Sequence, residues 1–381
     1  MEADHQAQPI KLCMLPDFLE ESWPSMDLCA EMLSAHLPLQ SSWIIEANRP
    51  RYRSWFQSIP MAGENKQIKN LDRLLNRWWN FPQSIRQERK PYDLYHVVDH
   101  SYAHLVHRLP AARSGVFCHD LDAFRCLTQP ELEPRPWWFR SLAGRILSGL
   151  RKAAVVFYST EAVRSEIVRY RLLAPDKLVH APYGVDETFR VGDRAAACPR
   201  ELAALHGAPW LLHVGATIPR KRIDVLLSVF AAARDKIPSL RLAKIGGAWT
   251  EDQKSQIEAH DLGRSIVHLG KVSQESLVQA YQRTTAVLIT SDAEGFGLPM
   301  IEAMACGAPV IASDIPVLRE SGGAAASFVP VGNVAAWVEA VMQVVSADPA
   351  MSTRDERVAW AARFSWQEHA RIIAEAYKKL L

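Results

Sequence analysis

A chain of 381 residues, 48% hydrophobic and 23% charged, is too long for one small core and has the composition of a globular protein of two ordinary domains. Its net charge of +2 makes no overall electrostatic case for nucleic acid or membrane as a partner, so any basic surface is local. Six scattered cysteines (Cys13, Cys29, Cys118, Cys126, Cys198 and Cys306) show no Cys-x-x-Cys pair or metal-type spacing, which predicts a reduced cytoplasmic chain without a zinc site.

Residues 1–6 lack the basic start and apolar run of a signal peptide, and no stretch of about 18 apolar residues predicts a spanning helix. Residues 10–15 read as a first strand, ended by Pro16-Asp17, and residues 25–33 as a helix capped by Ser25. Trp43 to Glu46 reads as a second strand, followed by a basic, aromatic loop at 49–56. Residues 66–90 predict a helical region rich in Lys and Arg, with Leu71, Leu74, Leu75, Trp78 and Trp79 on an apolar side. That region is either a surface helix with a core stripe or a contact for anionic membrane lipid. A strand at 92–100 ends in His100, and one at 114–118 delivers His119-Asp120 to the same edge, where open α/β sheets bind ligands. For His100 a structural role and a role at that ligand-binding edge both stay open. A second basic, aromatic helix candidate starts at Trp137-Trp138-Phe139-Arg140 and is open to packing or to a membrane surface. A strand and cap at 154–160, a helix from 161 to about 170, and a strand and Gly-Val-Asp turn at 178–186 complete the first half.

Gly192, Asp193 and Pro199 mark 190–200 as a linker. A new alternation of strands and helices opens with Trp210 to Gly215, and two doubly wound halves follow from the pattern. Pro219-Arg220-Lys221 then places two cations in a strand-to-helix loop ahead of a helix at 223–234. Further strands are expected at 241–247 and 266–272, the latter ending Gly270-Lys271-Val272, with a helix at 275–283.

The most informative stretch is Thr290 to Asp314. An apolar strand at 285–289 runs into a polar loop carrying Glu294, Gly295, Phe296 and Gly297; a helix opens near Leu298-Pro299 and closes at Gly307, with Pro309 and another strand beyond. Strand, glycine loop and helix N-terminus together present unpaired N–H groups and the positive end of a dipole to an anion. Glu294 and Glu302, eight positions apart, would repel that anion and are better suited to accept hydrogen bonds from hydroxyls attached to it. Sugar hydroxyls on a diphosphate meet both conditions.

This string resembles the Glu-x7-Glu signature of retaining glycosyltransferases of family 4, which have the GT-B fold: two Rossmann-like, doubly wound α/β domains facing a cleft. The resemblance covers most of the chain, strongly from about Leu211. It implies an acceptor-binding domain at 1–190, a nucleotide-sugar domain at 198–365, and a final helix at 366–381 that packs back on the first domain. It implies that Glu294 and the amides of Gly295, Phe296, Gly297 and Leu298 hold the donor sugar, that Glu302 holds the ribose, and that Gly215 and the backbone near Val272 complete the nucleotide site. Arg220 and Lys221 would neutralise the diphosphate in place of a metal ion, and His119 matches the family's first-domain histidine, with His100 and Asp120 on the acceptor side. Two details depart from the pattern: Tyr183 stands where the family usually has Asn, and Phe18 to Pro24 replaces the usual glycine-rich acceptor loop. The expected activity is retaining, metal-independent and cofactor-free transfer of a hexose, with mannose from GDP-mannose preferred, to a saccharide or lipid-linked saccharide in bacterial surface polysaccharide synthesis. The expected location is the cytoplasm, with peripheral contact at the inner, anionic face of the membrane. A nucleotide-sugar epimerase and a silent sugar-nucleotide-binding subunit are the alternatives.

Overall fold

The computed structural model describes residues 8–21, 23–40, 42–58, 66–88, 90–192 and 198–381. The residues read for a signal peptide, Ser22, Glu64 and Arg89 in the two basic or replaced segments, and Asp193 in the linker lie outside these. The chain forms two compact units, Met1–Tyr183 with Trp366–Leu381, and Gly184–Ser365.

The first unit is built on six parallel strands: β1 (Ile10–Leu15), β2 (Trp43–Ala47), β3 (Leu94–Val97), β4 (Ser114–Cys118), β5 (Val155–Tyr158) and β6 (Leu178–His180), in the order β2-β1-β3-β4-β5-β6. Leu12 pairs with Leu94 and Val97 with Val116, and β4 and β5 are buried along their whole length, as expected of a parallel sheet covered on both faces. The chain leaves β1 toward one edge and returns to β3 on the other side, so the switch point lies between the carboxyl ends of β1 and β3. The helix Trp366–Lys378 belongs to this unit; a Cβ on Gly115 would lie 2.3 Å from the Tyr377 hydroxyl, so only glycine lets the helix seat against β4. Tyr377 donates to the Tyr95 carbonyl at 3.2 Å and is 2.7 Å from His96 Nδ1.

Three local readings are corrected. The first helix is Pro24–His36, entered from Trp23 with proline at its start where a missing N–H costs least; Ser25 is inside it and is not the cap. The third strand is only Leu94–Val97, because Asp99 accepts from the Ser101 amide at 2.8 Å and starts a 3₁₀ segment, His100–Arg108. In 66–90, the helix Lys66–Leu75 continues through a π turn, Asn76–Asn80, into Phe81–Gln87, and its inward face is mixed: Trp78 packs on the core as expected, but a polar stripe runs beside it. Asp72, Asn76 and Asn80 are buried and bond the backbone of Phe56 and Gln57, of Arg53, and of Arg51, while Leu71, Leu74 and Trp79 are exposed. Backbone N–H and C=O groups of the loop needed partners, and that demand outweighed the apolar pattern.

The second unit repeats the plan with β7 (Trp210–Gly215), β8 (Arg241–Gly246), β9 (Ile266–Leu269), β10 (Ala286–Ile289), β11 (Val310–Ser313) and β12 (Ser327–Val329), all parallel in the order β12-β11-β10-β7-β8-β9. Period-two alternation sends Leu212, Ala243, Val287 and Ala312 into one core layer and Leu211, Leu242, Leu288 and Ile311 into the other. Its switch point lies between β7 and β10, which places the loops after Gly215 and Ile289 side by side.

Candidate functional site

In the second unit the site grows from that switch point. After β7, Pro219–Lys221 form a single 3₁₀ turn and Arg222 takes a left-handed φ of 47° before the helix Ile223–Lys236. The turn is tied to the loop after β10 by backbone: the Asp292 amide donates to the Arg220 carbonyl at 2.9 Å, and Thr290 Oγ1 donates to the Lys221 carbonyl at 2.9 Å. These bonds hold Lys221 Nζ 2.5 Å from Glu294 Oε1, while Arg220 Nη1 donates to the Ala293 carbonyl at 3.4 Å. Ser291 Oγ also donates to Glu294 at 2.6 Å. Burial opposes ionisation of Glu294, yet Lys221, then Arg220, hold its carboxyl below the usual range.

The helix Leu298–Ala305 starts from Gly297, whose φ of 93° and 2.9 Å approach to Leu318 Cδ2 exclude a side chain. It ends in a Schellman motif, with Gly307 N–H to the Met304 carbonyl and Ala308 N–H to the Ala303 carbonyl. Phe296 is buried edge-on against Phe364, with ring centroids 5.6 Å apart, so its side chain anchors the loop and leaves Gly295 and Leu298 at the surface of the turn, half-buried. Glu302, one turn in, accepts from the Tyr281 hydroxyl at 2.9 Å, and burial pushes its carboxyl up to about 7. Val272 is half-buried three residues past β9, just before Ser273, which caps the helix Gln274–Arg283. Thus Gly215, Arg220, Lys221, Glu294, Gly295, Phe296, Gly297 and Leu298 are gathered at or beside the sheet's switch point, and Glu302 and Val272 lie on neighbouring elements of the same unit.

In the first unit His100, His119 and Asp120 come together. His100 lies 3.2 Å from Asp99 and 3.7 Å from Asp120, and the His119 amide donates to His100 Nδ1 at 3.3 Å. His119 is buried with both ring nitrogens occupied. Nε2 is 2.7 Å from the Val98 carbonyl, which only accepts, so Nε2 carries the proton and Nδ1 accepts from the Tyr183 hydroxyl. Burial lowers its pKa to about 4, so the ring is neutral. Tyr183 is stacked 5.2 Å from Phe117 and sits beside Trp366.

Sequence reasoning missed two groups. Asp17, at the first unit's switch point, is buried with neither carboxyl oxygen partnered among the described residues; burial, then Asp99 and Glu21, hold its pKa well above the carboxylate range. Lys244 on β8 is fully buried, and its one signal was a lysine flanked by Leu242, Ala243 and Ile245. Among the described residues no group of His, Cys, Asp and Glu is arranged to hold a metal ion.

Residues 199–363 match the family model described as glycosyl transferases group 1. The chain is 27% identical over 278 residues to the serotype-specific mannosyltransferase WbdA of Escherichia coli, an alignment covering 69% of this chain and 33% of the relative, so it spans about a third of that longer protein. It is 28% identical over 284 residues to the O-antigen chain mannosyltransferase B of Escherichia coli, covering 73% of this chain and 72% of the relative. Among solved structures, sucrose-phosphate synthase from Thermosynechococcus elongatus superposes with a TM-score of 0.76 at 18% identity, over 97% of this chain and 99% of that one. Two doubly wound parallel units, a match to glycosyl transferases group 1 over the second, and that superposition give the chain the GT-B fold.

Proposed function

We propose that the chain is a retaining glycosyltransferase of family 4 that moves a hexose, with mannose from GDP-mannose preferred, from a nucleotide-diphosphate sugar to a saccharide or lipid-linked acceptor of a bacterial surface polysaccharide. The carrying observation is the Lys221–Glu294 pair with Arg220 beside it, at the second sheet's switch point and next to the start of the helix Leu298–Ala305. The relatives named as mannosyltransferases support the choice of sugar.

Breaking the anomeric C–O bond leaves positive charge on the sugar and negative charge on the diphosphate. Arg220 would meet that negative charge as a planar fork and Lys221 as a point charge, with the first-turn amides near Leu298 adding to them. Glu294 would then hold sugar hydroxyls and Glu302 the ribose, with backbone at Gly215 and Val272 toward the nucleotide. The departing phosphate takes the acceptor's proton as the acceptor oxygen bonds the same face of the anomeric carbon, so no metal ion and no enzyme nucleophile enter this scheme. His119 is proposed to orient the transferred sugar, exchanging the Tyr183 hydroxyl for a sugar hydroxyl at Nδ1, with His100 and Asp120 on the acceptor side.

Peripheral contact with an anionic membrane is part of the proposal. Trp137, 82% exposed, stands with exposed Trp138 and Phe139 beside Arg135 and Arg140, and Trp79, Leu71 and Leu74 are exposed on a helix bearing Lys69 and Arg73. A thermal-shift panel of nucleotide sugars, followed by transfer to a saccharide acceptor and determination of the product's anomeric configuration, tests the reading. Donor conversion without acceptor would indicate an epimerase, binding without transfer a silent subunit, and an inverted product would end the retaining assignment.

A further inference from the structure

Lys244 lies in the middle of β8, in register with His213 on β7 and His268 on β9, and is 0% exposed. Its ammonium donates to the Gly215 carbonyl at 3.0 Å and the Gly247 carbonyl at 2.6 Å, and sits 5.6 Å from the Trp249 ring centroid. No carboxylate lies within ion-pair distance of it among the described residues. A buried cation of this kind is costly unless an anion faces it. Two carbonyls could equally be bridged by a neutral amide, which would hold the turns without that cost.

The surroundings say where an anion belongs. Gly215 and Gly246 close backbone to backbone, a Cβ on Gly246 lying 2.4 Å from the Gly215 oxygen, so the two strand ends form one tight double turn with the Lys244 ammonium beneath it. On the other side of Gly215, Lys221 Cε and His213 Nε2 lie 3.8 and 3.7 Å from the position a Cβ would take. His213 Nδ1 faces the Leu288 carbonyl at 3.1 Å, and Nε2 is buried without a partner among the described residues. Burial, then Lys221 and Lys244, keep that ring neutral, with a pKa of about 3. The double turn is therefore flanked by two ammonium groups, of which, among the described residues, only Lys221 has a carboxylate, Glu294. His268, on the far strand, is 3.2 and 3.1 Å from the Gly246 and Gly247 carbonyls.

We propose that Lys244 is a positioning residue for the nucleotide-diphosphate site, a buried cation whose counter-ion is the ligand's diphosphate, acting through the Gly215 and Gly247 turns. The inference rests on the function proposed above. Burial leaves the free ammonium with a pKa of about 8, so an arriving anion drives it toward full protonation and binding takes up a proton on the alkaline side of neutrality.

The test is titration calorimetry of the whole chain with GDP and with UDP at pH 8.5, in two buffers of different ionisation enthalpy. The expected result is uptake of more than about half a proton per nucleotide bound. Lys244→Met is expected to abolish that uptake and to weaken binding about tenfold or more. Binding by the unaltered chain without proton uptake overturns the inference and needs no variant. So does a folded Lys244→Met that still takes up the proton, which assigns the titration to another group such as Glu302. If neither nucleotide binds at all, the functional reading falls with it, so the two failures are distinguishable.

Discussion

Lys221 Nζ and Glu294 Oε1 are 2.5 Å apart although they stand 73 positions apart in the chain, and both side chains are largely shielded from solvent. The pair is assembled by backbone bonds between two loops at the sheet's switch point, so its geometry is a property of the fold. Lys221→Ala is expected to lower kcat by about 10²- to 10³-fold, the scale of losing one charge-stabilising donor. Steady-state kinetics on folded protein checks this, and near-normal turnover would remove Lys221 from the mechanism.

Gly246→Ala tests the double turn. The new methyl would collide with the Gly215 carbonyl oxygen at a φ of 111° that alanine rarely adopts. The expected outcome is loss of nucleotide binding by calorimetry with little change in far-ultraviolet circular dichroism. Unchanged affinity would show that the turn's close packing is irrelevant to the ligand.

Tyr183→Phe removes the hydroxyl that His119 Nδ1 accepts from and leaves a buried acceptor without a donor. Its expected cost is about 1–3 kcal/mol of stability, measured by urea unfolding. A variant as stable as the parent would place the ring nitrogen on another donor.

Acid should weaken the fold through buried imidazoles. Burial lowers His96, His104 and His213 to about 3 and His119 and His369 to about 4, against 6.5 when unfolded. The unfolded chain therefore binds more protons below about 6.5; this contribution to stability is complete above that pH and declines as the pH falls. Glu302, raised to about 7, and Asp17, held well above the carboxylate range, run the opposite way, two buried carboxyls against five buried imidazoles. The melting temperature is expected to drop by more than about 5 °C between pH 7 and pH 5. A flat profile over that interval would contradict the buried, neutral state of these rings.

Membrane contact is checked by sedimentation with vesicles. Trp137→Ala should weaken binding to anionic vesicles by about tenfold, with neutral vesicles binding poorly throughout. Equal pelleting with both lipids, or none, would remove the membrane from the proposal.

Much of the architecture could be read before any coordinates. Parallel strands buried on both faces are short apolar runs, and Ser114–Cys118 and Trp210–Gly215 stand where such runs fall. The second unit's loop was equally plain, because Gly297, Pro299 and Gly307 each mark a backbone requirement. What stayed hidden were polar side chains doing interior work. Asp72, Asn76 and Asn80 look like a solvated stripe in a basic helix, yet they satisfy a neighbouring loop. Lys244 and Asp17 look like surface charges, because local sequence carries no trace of which carbonyls or carboxylates lie across the fold. The hydroxyl of Tyr183 on His119 is also a long-range contact, 64 positions apart, and no spacing rule reaches it.

Seating Tyr377 against Gly115 has a consequence for synthesis. The ribosome delivers the six strands of the first unit early, but the helix that seats against them follows only after all of 184–365 has emerged. The later unit, continuous in the chain, can therefore mature while its predecessor still waits with an uncovered flank. Nascent chains halted before Trp366 should engage holding chaperones through the earlier unit, and release should coincide with arrival of the thirteen-residue helix Trp366–Lys378.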